Sequence, residues 1–224
     1  LTGVASFVRL FRETLSSVRL YSAKVSVMRA CCFLLLVCGV ALCEVVQLDA
    51  TQDAMIWEAN PGLNYGNSFI SSSYESGWAP SLIQFDVSSY AGVTLNSATL
   101  EMYCYSTFTV PDTVNVVYRL TSAWSEGNVC WSNAPDPDST LSATFPKPPA
   151  NSWISCDVTA LVETWLNGSF TNNGLVFGRV NPGNGGVDIR SREFGNQTYR
   201  PRLVLDFVPL SLESATFGCI KATF

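Results

Sequence analysis

The stretch IRSREFGNQTYRPRLVLDF, Ile189–Phe207, decides how the chain is read. Its second half is a strand. Leu203, Leu205 and Phe207 alternate with Arg202, Val204 and Asp206, the period of two expected of a sheet with one buried face. Its first half collects Arg190, Arg192, Arg200 and Arg202 in a chain with 18 Asp and Glu, 13 Lys and Arg and no histidine. A local surplus of guanidinium groups in an acidic protein calls for partners, either the protein's own acids or an anionic ligand.

Working outward, the same alternation recurs. Ser81–Val87 places Ile83, Phe85 and Val87 on one face, and Ala98–Tyr105 turns Leu100, Met102 and Cys104 inward. Val114–Leu120 assigns Val114, Val116, Tyr118 and Leu120 to one face, and Trp153–Val158 assigns Ile154, Cys156 and Val158. Leu175–Val180 and Leu203–Val208 complete the set. Many short strands punctuated by Gly, Pro, Asn and Ser predict an all-β sandwich or barrel. One segment breaks the pattern. In DVTALVETWLNG, Leu161, Val162 and Trp165 share a helical face, Asp157 or Thr159 caps the start, and Asn167-Gly168 stops it. Pro135–Pro149 reads as a loop.

Met28-Arg29 precedes the uncharged run Ala30–Cys43, which is short for a membrane span and ends in small residues. Residues 28–43 therefore read as a secretory signal peptide. Residues 1–27, basic and serine-rich, read as an upstream translated segment, and 209–224 as a C-terminal tail, leaving one domain over 44–208. Residues 1–43 hold five of the 13 Lys and Arg and one of the 18 acids, so the remainder carries eight against seventeen, a formal charge of −9. Five of those eight bases are arginines between Arg179 and Arg202. This balance argues against a nucleic-acid partner, which needs a basic footprint, and suits a secreted protein with no membrane insertion after signal cleavage. Of eight cysteines, Cys104, Cys130, Cys156 and Cys219 remain after the signal. They allow three pairings, and Cys104 and Cys156, both on apolar strand faces, either pair or are simply buried. The lack of CxxC and of histidine argues against a zinc site.

Seven segments then appear in a familiar order: DATQDAMIWEANPGLNYGNS, LIQFDVSS, LNSATLEMYCY, AWSEGNVCWSNAP, DVTALVETWLNG, NNGLVF and the opening stretch. Together they resemble the DNRLRE-domain proteins, which overlap with carbohydrate-binding module family 96, over about residues 45–208. The resemblance implies a secreted jelly-roll β-sandwich, often a module of surface proteins and polysaccharide-degrading systems. Some members bind acidic polysaccharide. It implies no enzyme within this domain. The chain departs from the family pattern at Cys130, where Thr is usual, and at Cys156, where an apolar residue is usual; both departures suggest added disulfides.

The sequence offers four kinds of candidate site. Arg190, Arg192 and Arg200 offer forks for the carboxylates or sulfates of an anionic sugar chain. Against this, Arg192 lies in the Ser-Arg-Glu core of the resemblance and is equally suited to brace Asn64-Tyr65-Gly66 and Trp124-Ser125-Glu126, while Arg200 and Arg202 flank Pro201 as caps of the last strand. Among aromatics, Trp131 and Trp165 are assigned to the core, and Trp78 and Tyr74, then Tyr65, are the candidates for stacking on a sugar's C–H face. Asp49, Asp53 and Asp206 are a candidate structural Ca²⁺ set, since first and last strands often meet; no other cofactor is implied. Without histidine, a Ser-His-Asp triad is impossible. Asn167 and Asn196 stand in N-glycosylation sequons. The leading expectation is a non-catalytic module for anionic extracellular polysaccharide. The rival is a structural or adhesive surface module with no sugar ligand.

Overall fold

The computed structural model describes residues 43–74, 77–108, 114–179 and 185–208. The signal-peptide reading of 28–43 apart from Cys43, the upstream segment 1–27, the tail 209–224 and Cys219 lie outside the described residues.

Eleven strands and one helix follow in the order β1 (Glu44–Met55), β2 (Ile70–Tyr74), β3 (Trp78–Ala79), β4 (Ser81–Phe85), β5 (Thr94–Phe108), β6 (Val114–Leu120), β7 (Pro137–Pro146), β8 (Ser152–Asp157), α1 (Thr159–Leu166), β9 (Leu175–Arg179), β10 (Gly185–Ile189) and β11 (Arg202–Val208). All pair antiparallel, in the sequence β3-β2-β10-β5-β11-β1-β4-β9-β6-β7, with β8 on the free edge of β5. The first strand joins the two layers. Its first half pairs with β11, from Glu44 opposite Phe207 to Asp49 opposite Arg202; after a register shift between Ala50 and Gln52 its second half pairs with β4. Such an irregularity bends a strand and increases its twist, which lets one strand serve two layers. The result is an all-β sandwich with one short helix.

Inward residues follow the alternation. Leu100, Met102 and Cys104 of β5, Ile154 and Cys156 of β8, and Leu203, Leu205 and Phe207 of β11 are all buried in one cluster with Phe85, Phe145 and Phe177. Each such side chain stabilises the fold by about 1.5–3 kcal/mol relative to exposure. Helix α1 adds Leu161, Val162, Trp165 and Leu166 to this core. Asp157 Oδ1 accepts from the backbone N–H of Thr159 at 2.9 Å and its hydroxyl at 2.6 Å, and the helix stops at Asn167 before Gly168, whose φ is 74°.

Three expectations are corrected. Pro135–Pro149 is not all loop, because Pro137–Pro146 forms β7 at the edge of the second layer. Proline is tolerated there since an edge strand has donors to spare, and Leu141, Ala143 and Phe145 supply the inward face. In β6 the faces are reversed: Asn115, Val117 and Arg119 are buried in the sandwich, while Val116 and Tyr118 face outward and Val114 is 49% exposed. The segment from Trp124 to Ala134 packs over that outer face around Ile56, Leu82, Leu120 and Val129, so both faces are covered and apolar alternation loses its meaning. Asn115 accepts the Ser72 hydroxyl at 2.6 Å, and Arg119 is ion-paired to Asp138 with its guanidinium over the Phe170 ring at 4.0 Å, which makes these polar residues acceptable inside.

The third correction concerns cysteine. Cys104 and Cys156 are both buried, but Cys156 lies opposite Leu100, four residues along β5 from Cys104. Four residues span about 13 Å of strand, well beyond the roughly 7 Å a disulfide bridges. Cys130 is free as well, as is Cys43. Burial pushes the thiols of Cys104 and Cys156 up to about 11, so both are inert packing groups near neutral pH.

Candidate functional site

Beyond Ile189 the chain leaves β10, and the arginines separate. Arg192 turns toward the end of β1. Its Nη1 lies 2.7 Å from Glu126 Oε2 and 2.9 Å from Glu193 Oε1, and its backbone N–H donates to Asp53 Oδ2 at 2.7 Å. Glu126 Oε1 in turn accepts the Asp53 N–H at 2.9 Å. Asn64 Nδ2 donates to the carbonyls of Glu126 and Val129, both at 2.7 Å, which ties in the Asn64-Tyr65-Gly66 turn. Only glycine fits at 66, since a Cβ there would stand 2.3 Å from the Glu126 carbonyl oxygen. Arg192 therefore braces Glu126 directly, while the Asn64-Tyr65-Gly66 turn is joined to the nest through the Glu126 and Val129 carbonyls and not through Arg192. Burial works against the charge of Arg192, but Glu126, Glu193 and Asp53 together hold its guanidinium above its usual value. Asp53 is 0% exposed, and burial pushes its carboxyl up to about 8, against the Arg192 N–H and with the help of the Glu193 and Glu126 charges.

Arg190 goes the other way. Its backbone N–H donates to the Tyr103 carbonyl at 3.0 Å, which lays the side chain on the outer face of β5. There its guanidinium is sandwiched, 3.9 Å from the Tyr105 ring centroid and 4.1 Å from that of Phe194. The rings continue in both directions. Phe69, 41% exposed, meets Tyr105 edge-on at 6.2 Å. Phe194 leads to Tyr199 at 6.4 Å, and Tyr199 to Tyr103 at 4.3 Å. Tyr103 pairs in register with Trp153 of β8, their rings 5.5 Å apart. Trp153 is 37% exposed and inclined only 31° to Tyr199. The guanidinium of Arg202 lies 4.6 Å over the Trp153 ring, steadied by Glu101 at 2.6 Å, and Arg200 Nε donates to the Phe194 carbonyl at 2.8 Å. At the Phe69 end the ridge runs beside a cavity of about 300 Å³ lined by Trp57, Phe69, Ser71, Ser73, Phe108 and Asp188.

The other predicted residues lie elsewhere. Trp78, 36% exposed on the edge strand β3, lines a separate groove of about 280 Å³ with Tyr118, Trp131, Pro135, Val176 and Arg179. Tyr74 pairs with Trp78 in the β2–β3 register, and its side chain lies outside the described residues. Tyr65 is half-buried against Trp57, with ring centroids 6.2 Å apart. Trp165 is buried in the core, and Trp131, within the 124–134 segment, packs half-buried against the second apolar cluster. The proposed Asp49, Asp53 and Asp206 set is not assembled. Asp206 pairs with Val45 and Asp49 with Arg202, which separates them by four residues along β1, and Asp53 has crossed to the β4 side. Asp206 Oδ1 instead accepts from Asn96 Nδ2 at 2.9 Å. Asn167 and Asn196 are exposed, and each side chain closes a turn by accepting an N–H, from Ser169 and Thr198 respectively.

An antiparallel sandwich with a partly exposed aromatic ridge along one sheet face, punctuated by cations, has the form of a lectin-like binding module. The profile of carbohydrate-binding module family 96 matches residues 44–207, and the chain belongs to that family. Its members are typically non-catalytic, and a carbohydrate ligand follows from membership. No curated protein gives a significant match to the chain.

Proposed function

We propose that the chain is a secreted, non-catalytic module that binds anionic extracellular polysaccharide along the ridge from Phe69 to Trp153. The observation that carries this reading is the juxtaposition of Trp153 and Tyr199, inclined by 31°, with the guanidinium groups of Arg190 and Arg202 lying on the same ridge. An aromatic face matches the apolar C–H face of a pyranose ring, and guanidinium groups pair with carboxylate or sulfate substituents. Among the described residues Arg190 meets ring faces rather than a carboxylate, which leaves its charge available to a ligand. A non-catalytic role is supported by the closure of the carboxylate cluster: Asp53 is fully buried and Arg192 engages Glu126 and Glu193, so no glycosidic bond reaches a facing acid pair there.

The test is binding of the purified protein to neutral, uronate and sulfated polysaccharides at several salt concentrations. The reading requires retention by the acidic members, weakening as salt rises, and a fall of about tenfold in Trp153→Ala. A folded protein that binds none of them would favour a structural or adhesive surface module.

A further inference from the structure

The nest around Arg192 has a deficit of positive charge. Three carboxylates, Asp53, Glu126 and Glu193, face one guanidinium. Four of their six oxygens are accounted for: Glu126 Oε1 takes the Asp53 N–H, Glu126 Oε2 and Glu193 Oε1 take Arg192 Nη1, and Asp53 Oδ2 takes the Arg192 N–H. The remaining two, Asp53 Oδ1 and Glu193 Oε2, are buried without any partner. A buried carboxylate oxygen with no donor is costly, and here two occur in one cluster on a residue that is 0% exposed and its neighbour.

Spacing and chemistry say what fits. One oxygen from each carboxylate lies within 4.8 Å of the others. Oxygens on opposite sides of a Ca²⁺ stand about 5 Å apart and those across a Mg²⁺ about 4 Å, given their usual bond lengths. The donors are all hard oxygens, with neither thiolate nor imidazole in the cluster, which selects against zinc and copper. A divalent ion also offsets the negative charge that Arg192 leaves over, which reaches two units once Asp53 is ionised. We infer that Asp53, Glu126 and Glu193 hold a calcium ion. The ion would join three segments: β1 through Asp53, the segment over the second layer through Glu126, and the turn after β10 through Glu193. That turn begins two residues after Arg190, so the ion would fix the chain that carries the ridge without touching the ridge. The inference does not depend on which ligand the ridge takes.

The test is calorimetric titration of chelator-stripped protein with calcium chloride near neutral pH, paired with thermal melts in calcium, magnesium and EDTA. One ion per chain is expected, with Tm raised by about 5 °C or more when calcium exceeds its Kd roughly 100-fold. Glu193→Gln, which keeps the shape and removes one charge, should lower calcium affinity at least about tenfold, since charge count sets affinity in such sites. If that variant fails to fold, the wild-type melts still decide. No heat of binding, with equal Tm in calcium and EDTA, would overturn the inference and leave a protonated Asp53 as the account of its unpaired oxygen. An equal response to magnesium would overturn the assignment to calcium.

Discussion

Arg190 and Arg192 are two residues apart, yet they occupy opposite environments. Arg192 lies among three carboxylates at the junction of three segments; Arg190 lies between two rings on an open sheet face. In a continuing strand, residues two apart share a face. The chain instead leaves β10 after Ile189 and turns, with the Phe194 N–H donating to the Ser191 carbonyl at 3.1 Å, and this turn separates the two guanidinium groups. One arginine serves the fold, and under the proposed function the other serves a ligand. The question raised by an arginine-rich corner therefore has two answers within one tripeptide.

The sharpest way to break that division is Arg192→Ala. Removing the guanidinium leaves Glu126 and Glu193 facing each other beside Asp53. Removing one partner of a buried pair costs about 3–5 kcal/mol, but the Arg192 side chain is 37% exposed, so the loss here should be nearer 2 kcal/mol. Thermal melts should show Tm lower by about 4–8 °C for a domain of this size. Polysaccharide binding, measured below the new Tm, should stay within about twofold. A variant that melts normally but no longer binds would reverse the roles of the two arginines.

Trp153→Ala tests the other half. The ring is 37% exposed and lies outside the core but packs on Tyr103, Tyr199 and Arg202, so a modest loss of stability is expected and binding is read well below the variant's Tm. Binding to acidic polysaccharide should fall about tenfold, or about 1.4 kcal/mol, read by affinity electrophoresis or calorimetry. If binding is unchanged while Trp78→Ala abolishes it, the groove beside β3 is the site and the ridge is not.

The ridge and the nest were not equally legible. The contact of Arg192 with Glu126 could be named from the sequence, because a signature arginine in an acidic chain needs acids, whereas the Asn64 turn reaches the nest only through backbone carbonyls. The inward positions of β5 and β8 were also readable, as Leu100, Met102 and Cys104 alternate without interruption. The same alternation puts Tyr103 and Tyr105 outward and Trp153 outward on β8, so half of the ridge was written in the pattern that identified the core. What sequence lacks is register. Only the pairing of Tyr103 with Trp153, and the turn that brings Phe194 and Tyr199 across them, makes the rings a surface. The failed calcium set has the same cause: β1 and β11 do pair, but in a register that keeps Asp49 and Asp206 apart. In β6 the alternation itself misled, because a second cluster covers the strand's outer side.

Arg190→Lys sharpens the comparison further. Lysine keeps the charge but loses the planar group that stacks between Tyr105 and Phe194. Binding should weaken about three- to fivefold, or about 0.7–1 kcal/mol, with its salt dependence largely retained. Undiminished binding by the lysine variant would mean that charge alone matters and that the sandwiched geometry is incidental.

A variant outside both regions gives the scale against which the others are read. Asp157 holds the first turn of α1 by accepting from the Thr159 hydroxyl and N–H, and these bonds keep its carboxyl below the ordinary aspartate value. Because the folded value is depressed, the stabilisation is present above the unfolded value near 4 and disappears as pH falls through the folded one. Asp157→Ala should therefore cost about 0.5 kcal/mol at neutral pH, the low end for such a cap because the group is exposed, or about 1–2 °C in Tm. The difference from wild type should close in acid. If Asp157→Ala lowered Tm as much as Arg192→Ala does, the Arg192 nest would be no more important to the fold than a surface cap, and the contrast between the two arginines would rest on the ridge alone.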